Sequence, residues 1–152
     1  MAVKAIPDGY YSLTPYLVVK GAAAAIDFYT KAFGATEMVR MPGPGGKIMH
    51  AEVKIGNTML MLADENPERG ALSPSTLGGA GCSVMLYTED VDATFKRAIA
   101  AGAKEVTPVT DMFWGDRMGN LKDPFGHSWA VATHKEDVSP DEMQKRMAMQ
   151  GA

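Results

Sequence analysis

One pattern occurs twice along the chain, and that repeat limits the available folds more than any other feature. Pro15–Met38 (PYLVVKGAAAAIDFYTKAFGATEM) aligns with Ser83–Val106 (SVMLYTEDVDATFKRAIAAGAKEV) as an apolar run, a helical stretch, and Gly34-Ala35-x-Glu37 against Gly102-Ala103-x-Glu105. After a two-residue insertion, Ile55–Asp64 (IGNTMLMLAD) aligns with Phe125–His134 (FGHSWAVATH). Each unit reads as strand, helix and three further strands. In the first, Leu13–Val19 is a β-run, and Ala22–Phe33 is a helix with Ala25, Ile26, Tyr29 and Phe33 on one face, ended by Gly34. Strands follow near Thr36–Arg40, Lys47–Ile55 and Thr58–Ala63, broken by PGPGG and by Gly56-Asn57. The second unit gives a strand at Cys82–Tyr87, a helix at Val91–Ala101 and strands near Glu105–Val109, Gly115–Lys122 and Ser128–Thr133.

The 152 residues therefore make one α+β domain of two tandem βαβββ modules, at about 12–64 and 81–135, with a Pro/Gly/Ser-rich linker at 65–80. A capping box at Ser139-Pro140-Asp141-Glu142 opens a C-terminal helix over about 139–149. A twisted sheet with its helix on one face leaves the other face in need of cover, so the two sheets are expected to build a cup. A net charge of −3 and a pI near 5.6 give no field for a phosphate backbone, which argues against a nucleic-acid partner. Cys82 is the single cysteine, which excludes an intrachain disulfide and suits a reducing compartment. No apolar run is long enough for a membrane span, so a cytoplasmic protein without a membrane partner is expected.

The duplicated module, the IDFYTKAFG helix and the WGDRMGNLKDPFGHSW hairpin resemble the glyoxalase / bleomycin-resistance / extradiol-dioxygenase (vicinal oxygen chelate) superfamily. MHAEVKIGNTMLMLADE and FWGDRMGNLKDPFGHSW resemble its PhnB-like branch more narrowly; the likeness runs from about Leu13 to His134. The resemblance implies a homodimer, with each cup built from the first module of one chain and the second of another. It also implies four metal-ligand positions, which fall here on Thr14, Leu60, Ser83 and Ala130. None of these is an imidazole or a carboxylate, so no metal is expected at the family position, and no cofactor.

The candidate site residues come mainly from strand alternation. Over Lys47–Ile55, Met49, Ala51, Val53 and Ile55 are placed under the helix, and Ile48, His50, Glu52 and Lys54 on the cup face, with His50 and Glu52 about 7 Å apart. His50 and Glu52 are the candidate catalytic pair, as acid and base or within a relocated metal site. His50 is equally open to a ligand-binding role or to a structural one, and Glu52 to pairing with Lys122. Tyr16, Met85, Tyr87, Met118 and Asn120 are the candidate ligand-binding residues of the cup wall, joined by Trp114 at its rim. Trp129 is assigned to the core, Met38, Met59 and Met61 to core filling, and His127 and His134 to structural roles. Cys82 is taken as a buried, inert thiol, and PGPGGK as a loop at the cup's mouth. The expected function is binding of a small apolar or aromatic molecule in the cup; an isomerase, lyase or dioxygenase activity is the alternative.

Overall fold

The computed structural model describes residues 3–150. The first module runs β1 (Tyr16–Val19), α1 (Ala22–Phe33), β2 (Thr36–Pro42), β3 (Ile48–Ile55) and β4 (Thr58–Asp64). A short helix, α2 (Pro74–Leu77), sits in the connection. The second module repeats the order with β5 (Ser83–Tyr87), α3 (Val91–Ala100), β6 (Lys104–Asp111), β7 (Asp116–Lys122) and β8 (Ser128–His134), and α4 (Pro140–Gln150) follows. The sheets are ordered β1-β4-β3-β2 and β5-β8-β7-β6, with β1 parallel to β4 and β5 parallel to β8. The fold is thus α+β with two βαβββ modules.

The modules meet through their helices. Residues of α1 and α3 and the helix-side residues of both sheets form one core, which includes Leu17, Val19, Ala51, Val53, Leu62, Leu121, Trp129 and Val131. The opposite, open face of each sheet therefore points away from that core. Trp129 is buried against Phe33, with ring centroids 4.6 Å apart, and against Tyr29 at 5.5 Å, so a residue of the second sheet packs on the first module's helix.

The Asp123-Pro124-x-Gly126 turn explains how a polar segment can lie inside this seam. Asp123 Oδ1 accepts the amides of Phe125 and His127, each at 2.9 Å. Its Oδ2 accepts the Tyr29 hydroxyl at 2.8 Å and the Trp129 indole N–H at 3.0 Å. One buried carboxylate thus shapes the turn and ties α1 to β8, with every donor satisfied. His127 is buried, and its Nε2 donates to the Val18 carbonyl at 2.9 Å.

Two bulges alter the expected faces. The β2–β3 register shifts once past Met38 and once past Met49, so both methionines are extra residues and exposed. A bulged residue leaves the pleat's alternation. Met49 therefore leaves the helix face on which alternation placed it, Ile48 is buried instead, and Met38 is no core filler. Ala51, Val53 and Ile55 do lie under the helix. Cys82 is exposed, not buried. Among the described residues, no helix is long and apolar enough to cross a membrane.

Candidate functional site on the open sheet faces

The cross-strand register builds the open face of the first sheet. Tyr16 lies beside Met61, and Met61 beside Glu52, so these three share one row and one face, with His50 two residues along β3 from Glu52. A polar chain links them. The Tyr16 hydroxyl lies 3.0 Å from His50 Nδ1, and His50 Nε2 lies 2.9 Å from Glu52 Oε1. The Tyr10 hydroxyl, from the segment preceding β1, donates to Glu52 Oε2.

The charge states follow from these contacts. Hydrogen bonds from His50 and then Tyr10 hold the Glu52 carboxyl below the usual glutamate range, against a smaller opposing effect of burial. An ionised carboxylate only accepts, so Nε2 of His50 carries a proton; in the neutral imidazole Nδ1 is then the acceptor and Tyr16 the donor. Burial, with the nearby Glu52 charge, raises the Tyr16 phenol. Tyr16 is 49% exposed, so the outer end of this chain faces solvent as a phenol oxygen with lone pairs to spare. Glu52 pairs with His50 and Tyr10, not with Lys122.

The open face of the second sheet is apolar in the corresponding rows. Met118 pairs with Ala132 and Ala132 with Tyr87; Asn120 pairs with Ala130 and Ala130 with Met85. Met118, Ala130 and Ala132 form a small buried cluster packed by Met112 and Trp114. Met85 and Tyr87 are exposed beside it. The Asn120 amide is committed to the Thr107 hydroxyl at 2.8 Å.

A second polar cluster closes one end of this face. Asp116 is only 5% exposed and accepts from the Tyr87 hydroxyl at 2.9 Å, the Trp114 indole at 3.1 Å and His134 Nδ1 at 2.7 Å. Burial alone would raise the Asp116 carboxyl, but the bonds from His134, Tyr87 and Trp114 outweigh it and hold the group low. Those to Asp116 and Asp137 raise the His134 imidazole. Trp114 is held in place by the turn that follows. Gly115 has φ +100, and a Cβ there would strike the Glu136 carbonyl oxygen, so only glycine fits.

Of the residues singled out in the sequence, His50, Glu52 and Tyr16 are therefore brought together on one sheet, and Met85, Tyr87, Trp114, Met118 and Asn120 on the other. Tyr10 and Asp116, the partner of His134, were missed. The Asp116–His134 pair had a weak signal in its place on adjacent strands of a hairpin; Tyr10 had none, since 42 residues separate it from Glu52.

The register also corrects one metal position. Leu60 faces the core, and Met61 occupies the open-face place that corresponds to Ala130. A hydroxyl pair, a thioether and a methyl group do not make a divalent-ion site. Among the described residues, no group of three or more His, Cys, Asp or Glu side chains could hold a metal elsewhere.

Two concavities open here. One of about 600 Å³ lies at the end of the first open face, lined by Tyr16, Val18, Ile48 and Ala63, between the PGPGGK loop and the segment after β4. A wider groove of about 870 Å³ follows the seam between the modules, with Phe33, Ile55 and Leu86 in its walls and His134 at its edge. The first reaches only the Tyr16 end of the Tyr16–His50–Glu52 chain, and Lys47, Asp64, Glu65, Glu68 and Arg69 line it beside its apolar residues.

A duplicated βαβββ protein with one polar and one thioether-rich open face is the class that this geometry defines. The chain belongs to the Glyoxalase/Bleomycin resistance protein/Dioxygenase superfamily, whose family model matches residues 12–131. An uncharacterized protein of Mycobacterium tuberculosis is 46% identical over 143 residues, which cover 92% of this chain and 84% of that one. The crystal structure of TioX from Micromonospora sp. ML1 superposes with a TM-score of 0.65 at 31% identity, covering 82% of this chain and 98% of that chain. A PhnB protein from Bacillus cereus shares the fold at a TM-score of 0.63 and 19% identity, covering 81% and 99%.

Proposed function

We propose that this protein binds a small apolar or aromatic molecule, without a metal at the usual family position, in a cup completed by a second copy of the chain. The observation that carries the reading is the Tyr16–His50–Glu52 chain, set on an otherwise apolar sheet face that the protein's own core leaves uncovered. Isolated polar groups on an apolar floor fix the orientation of a ligand, and the surrounding area supplies the affinity. Because α1 and α3 fill the space between the sheets, one chain does not fold its two open faces onto each other. A two-fold dimer lays the first face of one copy on the second face of the other. The ligand then lies between the polar wall of Tyr16, His50 and Glu52 and the softer wall of Met85, Tyr87, Met118 and Asn120, with Trp114 behind it.

The same chain supports a second reading, in which it moves a proton. Glu52 holds His50 in one tautomer and His50 can draw the Tyr16 proton, so a substrate whose acidic proton reaches Tyr16 would meet a general base. That reading makes the protein an isomerase or lyase of the superfamily.

Native mass spectrometry of freshly purified protein tests the binding reading. A dimer carrying a released mass of a few hundred daltons, lost in His50→Ala, is the expected spectrum. A bare monomer that takes up no aromatic compound at high concentration contradicts it.

A further inference from the structure

The segment before β1 lies across the site rather than away from it. Residues 3–14 contain no strand or helix, and Val3, Ile6, Tyr11 and Leu13 are exposed. Most of its polar contacts are internal: Lys4 to Asp8 at 2.5 Å, and the Tyr10 amide to the Pro7 carbonyl at 3.2 Å. Among the described residues, its hydrogen bond to the rest of the chain is that of the Tyr10 phenol to Glu52 Oε2. Ala5, Ile6, Pro7 and Tyr10 wall a recess of about 520 Å³ whose other side is Glu52 and Met61, both on the open face.

Residues 3–11 of the segment, Tyr10 among them, precede the family match, which begins at residue 12. Glu52 has two oxygens: His50 takes one, and the other is left for whichever donor reaches it. A phenol on a loosely tethered segment now fills that place.

We infer that residues 3–14 are a strap that stands in for the ligand on the first sheet, with the Tyr10 phenol holding the Glu52 oxygen that an aromatic O–H or N–H donor takes over on binding. The inference rests on the binding reading above. Entry exchanges one donor for another on Glu52 and moves no net proton. Strap release and ligand binding are then one equilibrium, and the ligand's apparent affinity is reduced by the fraction of molecules whose strap is closed.

The test uses the full chain with 2-naphthol, which reproduces the aromatic hydroxyl of Tyr10, and 2-methoxynaphthalene, which keeps the ring but cannot donate. Fluorescence titration of Tyr10→Phe should give 2-naphthol an affinity about fivefold or more above wild type. The methyl ether should bind wild type more weakly than 2-naphthol. Equal or weaker 2-naphthol binding by Tyr10→Phe overturns the strap. If the methyl ether still binds in that case, the cup reading survives alone; if neither compound binds either form, both readings fall.

Discussion

The seam carboxylate offers a prediction whose size follows from its contacts. Tyr29→Phe removes one hydroxyl from buried Asp123 and leaves the ring, its stacking and the other three donors in place. A hydrogen bond to a charged group contributes about 1.5–3 kcal/mol, and no water reaches this one to replace it. For a domain of this size that corresponds to a fall in Tm of about 4–10 °C. Asp123→Asn should cost more although it is nearly isosteric. An amide has one acceptor oxygen, so its NH2 must face either the Trp129 indole N–H or the turn amides of Phe125 and His127, all of which only donate. Asp123→Ala strands all four donors at about 1–3 kcal/mol each, a large part of an ordinary domain's stability. Urea unfolding of the three variants gives the order. A loss below about 0.5 kcal/mol for Tyr29→Phe, or an Asn variant as stable as wild type, would refute the seam argument.

Other perturbations have outcomes as definite. Tyr16→Phe leaves His50 Nδ1 without its donor and should weaken 2-naphthol binding several-fold with little change in Tm, read by titration and calorimetry. Trp114→Phe keeps the packing on Met118 and Ala132 but removes one of the two donors on Asp116 Oδ2, leaving Tyr87 there; a loss of about 1–2 kcal/mol is expected on chemical unfolding, against about 2–4 for Trp114→Ala. Glu65 is drawn down to about 2 by the hydroxyls of Thr76 and Ser73 and the Ser73 amide, so its folded-state value lies below its unfolded one. Its stabilising contribution is therefore complete above the ordinary glutamate range and fades as the pH falls towards about 2. Thermal melts across that window should show a steeper acid loss in wild type than in Glu65→Gln. His134 is shifted the other way, so its contribution is present below the ordinary imidazole value and lost as the pH rises through the raised one; His134→Gln should flatten the stability profile there.

What the sequence disclosed depended on whether a local period carried the information. The helices of both modules end near glycines, and β3 and the strands of the second module lie close to where apolar spacing and turn residues placed them, because those signals are local; β1 starts at Tyr16, three residues after the apolar run that began at Leu13. Alternation failed where the pleat is interrupted: nothing in MVRM or KIMH announces the bulges at Met38 and Met49. In TMLMLAD both faces are apolar, so period two does not say which is inside, and only the pairing of Val53 with Leu60 and Glu52 with Met61 decides it. Leu60 and Met61 changed places for that reason. The placement of His50, Glu52 and Tyr16 on one face was legible, since each sits on a short alternating run. Their junction with Tyr10 was not, nor was the bond of His127 to Val18 across 109 residues, because a contact between distant segments leaves no period behind.

The central claim is that a ligand is held between the first face of one copy and the second face of another. Mixing two defective chains tests this most directly. His50→Ala damages the polar wall, and Met85→Glu puts a charge on the exposed apolar wall. Each homodimer should bind 2-naphthol poorly. After subunit exchange, half of the dimers carry one of each chain and so one intact cup, and the mixture should recover about a quarter of the wild-type capacity. A mixture that recovers nothing while the wild type binds would place both walls in one chain, and a wild type without saturable binding would remove the ligand site altogether.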